Sequence, residues 1–106
     1  MNMRNLLPLA LAGAIIALVP TSPASATGAI KCKPTPQASW KSQDVLKAKL
    51  VKEGWTVRKS KVDGGCYEVY GTTPEGDRVE AYFHPVTLEK LYVARRGEVL
   101  FRKQGY

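Results

Sequence analysis

Histidine, cysteine and long apolar runs are all scarce in this chain. One histidine (His84) and two cysteines (Cys32 and Cys66) in 106 residues cannot furnish a three-histidine catalytic metal centre or a four-ligand zinc site. The C-x-x-C spacing of redox and metal motifs is absent. No apolar run reaches the roughly 20 residues that span a bilayer. Acidic residues are few as well, 9 against 16 basic ones, for a formal net charge of +7. The length leaves room for one domain, and for no Rossmann fold, P-loop enzyme or (β/α)8 barrel.

What is present begins with a leader. Arg4 precedes an apolar stretch from Leu6 to Val19, Pro20 and Pro23 end it, and Ala24-Ser25-Ala26 places small residues at the −3 and −1 positions. This is the three-part layout of a secretory signal peptide over residues 1–26, with cleavage expected after Ala26. The mature chain would keep every acidic residue and lose only Arg4 among the basic ones, so its charge falls from +7 to +6. The protein is thus expected to be exported, periplasmic or secreted, and not anchored in the membrane once cleaved. A domain of about 80 residues buries little surface and gains from a covalent staple. Cys32 and Cys66 survive cleavage, meet no competing third cysteine and would face an oxidising compartment, so a disulfide is expected. It would close a loop of 35 residues, a constraint of roughly 3.8 kcal/mol on the unfolded chain.

Residues 27–39, with Pro34 and Pro36, read as an extended arm, and 40–106 as a single domain. Ser42 is a good N-cap, Asp44 suits the first turn, and Val45, Leu46, Leu50 and Val51 recur at helical spacing. Gly54 is the expected residue just past the helix end, which sets a helix over about 43–53. From Trp55 the period becomes two. Lys59 falls where an apolar residue is due and Val62 restarts the pattern with the other parity, so a bulge is expected there. Asp63-Gly64-Gly65 signals a hairpin. Strands follow over Cys66–Tyr70 and Arg78–Phe83, with turns at 73–77 and 84–87. Leu88–Ala94 reads as a fourth strand, with a helix over 88–96 as the competing reading, and Val99–Arg102 as a short fifth. The fold class is α+β: one N-terminal helix on a small antiparallel sheet of about four strands, in the order α-β-β-β-β.

Several of these residues also carry a family resemblance. Trp40, the helix ending in Glu53-Gly54-Trp55, the Asp63-Gly64-Gly65-Cys66-Tyr67-Glu68-Val69 stretch, Arg78-Val79-Glu80 and His84-Pro85-Val86-Thr87-Leu88-Glu89 occur in the order seen in small secreted PepSY-domain proteins of bacteria. That domain also occurs in the propeptides of some secreted peptidases. The resemblance runs from about Cys32 to Leu91, and His84 stands where the family commonly carries Asp. It implies a helix packed on a small antiparallel sheet, no catalytic residues, and a binding role such as restraining a peptidase in the cell envelope. The tail from about residue 92 is an extension that the resemblance does not interpret.

The candidate sites are few. His84 reads as a turn residue rather than a general base. Glu68 and Glu80 sit on neighbouring strands with cations nearby, the pattern of salt-bridged strand positions rather than an acid–base pair. Trp40 and Trp55 bracket the helix, as a helix-on-sheet core requires; an aromatic binding platform is the alternative. Tyr67 shares a face with Val69 and is expected inside, while Tyr70 and Tyr82 share faces with Glu68 and Glu80. Tyr70, Tyr82, Glu68, Glu80, Arg58 and Lys59 therefore form the candidate interaction surface.

Cations cluster at Lys47, Lys49 and Lys52, at Arg58, Lys59 and Lys61, and at Arg95, Arg96, Arg102 and Lys103. With no nucleic-acid recognition motif and with export expected, such a surface suits an acidic protein, an anionic lipid or a polysaccharide rather than nucleic acid. No nucleophile–base set, metal site or cofactor site can be assembled. The expected function is a non-enzymatic binding or inhibitory module of the cell envelope that meets a protein partner, such as a peptidase, through the sheet's exposed face or an edge strand. The alternative is a basic envelope-associated protein held electrostatically on anionic lipid or polysaccharide.

Overall fold

A computed structural model of the protein describes residues 28–106. The expected leader, with Ala24 and Ala26 at its cleavage site, lies outside the described residues. A single turn of 3-10 helix at Gln37–Ser39 leads into helix α1, Gln43–Lys52. The Ser42 side chain accepts the Val45 N–H at 3.1 Å, which satisfies one of the free donors of the first turn. At the other end Gly54 takes φ +101°. Its N–H reaches the Val51 carbonyl, and the Trp55 N–H reaches Leu50. These two bonds close the helix in a Schellman motif, which requires the left-handed conformation that glycine adopts without strain. Only Leu46 and Leu50 of the helix are buried. Val45 and Val51, expected on the same face, are half exposed because so short a helix presents a narrow stripe to the sheet.

Five strands follow: β1 Thr56–Asp63, β2 Cys66–Thr72, β3 Arg78–Phe83, β4 Lys90–Arg95 and β5 Glu98–Arg102. They pair in sequence order, every neighbour antiparallel. The helix-on-antiparallel-sheet expectation therefore holds, with β5 a full member of the sheet. The helix considered for 88–96 does not form. Leu88, at φ +63°, sits between the His84–Thr87 turn and β4, held there by a core contact and by its N–H on the His84 carbonyl. The bulge expected near Lys59 falls at Arg58, where the register passes from Val57–Gly71 to Lys59–Tyr70. Two further register shifts occur, in β4 beside Tyr82 and Phe83 and in β5 beside Val93 and Ala94.

Each face of the sheet carries its own core. On one face Leu46, Leu50 and Trp55 cover Tyr67, Val69, Val79, Ala81, Phe83 and Val93. Trp40 packs edge-on against Tyr67 with ring centroids 5.5 Å apart, and Trp55 meets Phe83 in the same way at 5.9 Å. Both tryptophans thus belong to packing, as their bracketing of the helix implied. On the opposite face Ile30 and Cys32 of the arm cover Cys66, Tyr82, Leu91, Tyr92 and Ala94. Cys32 and Cys66 are disulfide-bonded, with Cα atoms 5.4 Å apart. The β1–β2 turn fixes the arm's path. Gly64 and Gly65 both have positive φ, as a two-residue hairpin turn demands. A side chain on Gly64 would meet the Ile30 carbonyl at 2.7 Å, so the arm runs directly against the turn. The Cys32 N–H then donates to the Gly64 carbonyl at 2.8 Å.

Candidate binding surface

The arm overturns part of the expected interaction surface. Glu68 and Tyr82 are fully buried, because residues 28–32 cross the very face on which they stand. The alternation of β2 and β3 places them opposite the helix, as read; alternation cannot show that a second layer covers that face. Tyr70 and Glu80 are half-buried, and Arg58 and Lys59 remain exposed. Lys59 lies over the Tyr70 ring, 5.0 Å from its centroid.

The covered residues make a polar cluster under the arm. Tyr82 donates its hydroxyl hydrogen to the Asp63 carboxylate at 2.7 Å, and the Gly28 N–H donates to the same oxygen at 2.8 Å. Lys61 stands 3.7 Å from Glu68. Burial alone would raise the Asp63 carboxyl, but the Gly28 N–H, the Tyr82 hydroxyl and the Lys61 charge outweigh it and hold the group below its ordinary range. Glu68 goes the other way. Burial pushes its carboxyl up, and the charges of Asp63 and Glu80 add to that against the pull of Tyr70 and Lys61. Burial and the bond to Asp63 likewise push the Tyr82 hydroxyl up. Glu68 and Tyr82 are enclosed and Asp63 is half-buried beside Gly28, so their chemistry serves the arm.

His84 is a turn residue: its Nδ1 accepts the Val86 N–H at 3.1 Å. Among the described residues no group of His, Cys, Asp and Glu is placed to hold a metal ion, and no helix is long and apolar enough to cross a membrane.

An uncovered apolar surface lies elsewhere. All five residues of β5 are exposed, Val99, Leu100 and Phe101 at 44%, 39% and 37%. Leu46 and Leu50 of α1 pack over β2, β3 and Val93 of β4, and the helix-side face of β5 is left open. A groove of about 380 Å³ forms there between Trp55 and Pro74 on one side and Val93, Leu100 and Phe101 on the other. Lys90 stands 4.6 Å from the centroid of the Phe101 ring. Among the described residues the outer edge of β5 has no neighbouring strand. Sequence reasoning allows for an edge strand but places its candidate residues on β1–β3 and does not single out β5. The available signal was Val99-Leu100-Phe101, three apolar residues in a row on the last strand, where alternation would have put a polar residue.

Comparison with known families covers most of the domain. The model of the peptidase propeptide and YPEB domain, PepSY, matches residues 10–92. The chain belongs to this family. No curated protein and no solved structure gives a significant match. The PepSY match takes in α1 and β1–β3 and stops within β4, close to the end of the resemblance read from the sequence, so β5 and the Val93, Leu100 and Phe101 side of the groove lie beyond it.

Proposed function

We propose that this PepSY protein is an exported binding module, freed of residues 1–26, that restrains a peptidase of the cell envelope rather than acting as an enzyme. The uncovered β5 edge with its adjoining groove carries the reading. An unpaired strand edge offers backbone donors and acceptors to an extended segment of a partner, and the neighbouring groove takes that segment's apolar side chains. Family membership supplies the partner class, since PepSY domains are associated with peptidase propeptides. The disulfide and the absence of a long apolar helix among the described residues fit the exported setting.

The test is inhibition. Secreted peptidases of the source organism are assayed one at a time with the protein added in excess. One of them is expected to be slowed saturably. Replacing Leu100 and Phe101 together by Lys should weaken that inhibition at least about tenfold, the loss expected for central apolar anchors. Both side chains are already partly exposed, so the far-UV circular dichroism should not change. If no peptidase is slowed, or if the double variant inhibits as well as the parent, the proposal fails.

A further inference from the structure

Three arginines from three separate elements converge at the end of the sheet remote from the disulfide. Arg58 is the bulged residue of β1, Arg78 opens β3, and Arg96 sits in the two-residue turn between β4 and β5. Together with Tyr70, Glu80 and Ala94 they line a shallow basin of about 190 Å³. Among the described residues none of the three has an ion-pair partner, whereas the neighbouring Arg95 is held by both Asp77 and Glu98. The three guanidinium charges against the one Glu80 carboxylate leave a net charge of two, positive, around the basin.

Arg96 adds a second, independent observation. It takes φ +51° in a turn whose next residue is Gly97. Glycine, asparagine or aspartate fill that position with least strain. A long cationic side chain is held there against the local backbone preference, the kind of outlier that points to a role for the side chain.

We infer that Arg58, Arg78 and Arg96 form a binding site for a phosphate group, a doubly charged oxyanion whose oxygens match the donor forks of guanidinium groups. Carboxylates carry half the charge that the basin balances. The phosphate comes either from a soluble phosphate ester or from a lipid headgroup, and the same three arginines serve both. The site lies apart from the β5 groove and does not depend on a peptidase partner.

Inorganic phosphate is titrated into the protein at constant ionic strength while backbone amide and arginine Nε resonances are followed by NMR. One saturable site is expected, with the shifts centred on Arg58, Arg78 and Arg96. Arg78→Gln should weaken it about fivefold or more, and Lys47→Gln, which removes the same charge from the helix, less than about twofold. Arg96→Gly relaxes the turn while deleting the guanidinium, so it should keep or raise the melting temperature and still weaken phosphate binding as Arg78→Gln does. Non-saturating shifts, or equal losses in Arg78→Gln and Lys47→Gln, would mean a diffuse positive field and overturn the site. Vesicles distinguish the two sources. Retention on vesicles carrying phosphatidic acid, whose headgroup is a phosphomonoester, but not on phosphatidylcholine alone, reversed by free phosphate and lost in Arg78→Gln, assigns the site to a headgroup. Phosphate binding without vesicle retention assigns it to a soluble ester.

Discussion

The two faces of the sheet are built by different means. The helix side is an apolar core whose parts are neighbours in the chain: α1, the strands that follow it, and aromatic pairs at the joins. The arm side is smaller, contains a buried carboxylate and a buried tyrosine hydroxyl, and is closed by residues 28–32, far in sequence from the β3 and β4 residues that they cover. Hydrophobic area dominates the first layer, with the Ser60 hydroxyl on Gln43 and the Tyr67 hydroxyl on the Lys41 carbonyl as directed bonds to the sheet. The second needs directed bonds: a disulfide, the Cys32 N–H on Gly64, and the Gly28 N–H on Asp63. Among the described residues the five-stranded sheet has two covered faces and a single α-helix, so a short extended arm serves as the second layer.

The largest effect should come from breaking the arm side. Cys32→Ser with Cys66→Ser removes a constraint worth about 4 kcal/mol in the chain-entropy model. The near-UV signal of Tyr82 and Tyr92, packed edge-on with ring centroids 5.9 Å apart, should fade before the far-UV helix signal does. Coincident loss of both would show that the faces are not separable. On the other side Leu50→Ala should remove about 3 kcal/mol from unfolding in denaturant, as for other fully buried leucines, and leave the disulfide as resistant to reductant as in the parent.

Smaller again is the helix cap. Ser42→Ala should lower stability by about 1 kcal/mol, and a loss near zero would mean that the Val45 N–H finds another partner. The finest distinction is by pH, because Asp63 and Glu68 are shifted in opposite directions. Asp63 has a lowered folded pKa, so its contribution is present above about pH 4 and is lost as the pH falls below that. Glu68 has a raised folded pKa, so the folded state holds its proton more tightly. Stability then declines as the pH rises from about 4 through the folded value. Glu68→Gln should therefore flatten the neutral limb of the stability profile and make the protein more stable at pH 7. Asp63→Asn should flatten the acid limb. Identical profiles for the two variants would contradict the opposed shifts.

The helix side was legible in the sequence because its signals are local. Ser42, the Leu46–Leu50 spacing, Gly54 and the Asp63-Gly64-Gly65 turn each set structure within a few residues of themselves, and the misplaced Lys59 marked the Arg58 bulge. The arm side was legible only as far as Cys32, which tied the arm to Cys66 but not to a face. Ile30 carries no periodic signal in a stretch of small and polar residues, yet it is buried. It takes Glu68 and Tyr82 out of the expected surface with it. β5 was read as a possible strand, but its exposure depends on where α1 stops short, a tertiary fact that no window of residues contains.

The order of the strands has a consequence for how the chain folds. Each strand pairs with the one that follows it, so the sheet closes only short loops and has little long-range search to perform, a topology associated with rapid folding. The arm is the exception, since its docking residues lie in strands made after it. Made before the strands it docks on, it would find its place last. Oxidation of Cys32 and Cys66 should then follow sheet formation rather than guide it. Timed thiol trapping during refolding would show helix and sheet signals complete while both cysteines can still be alkylated.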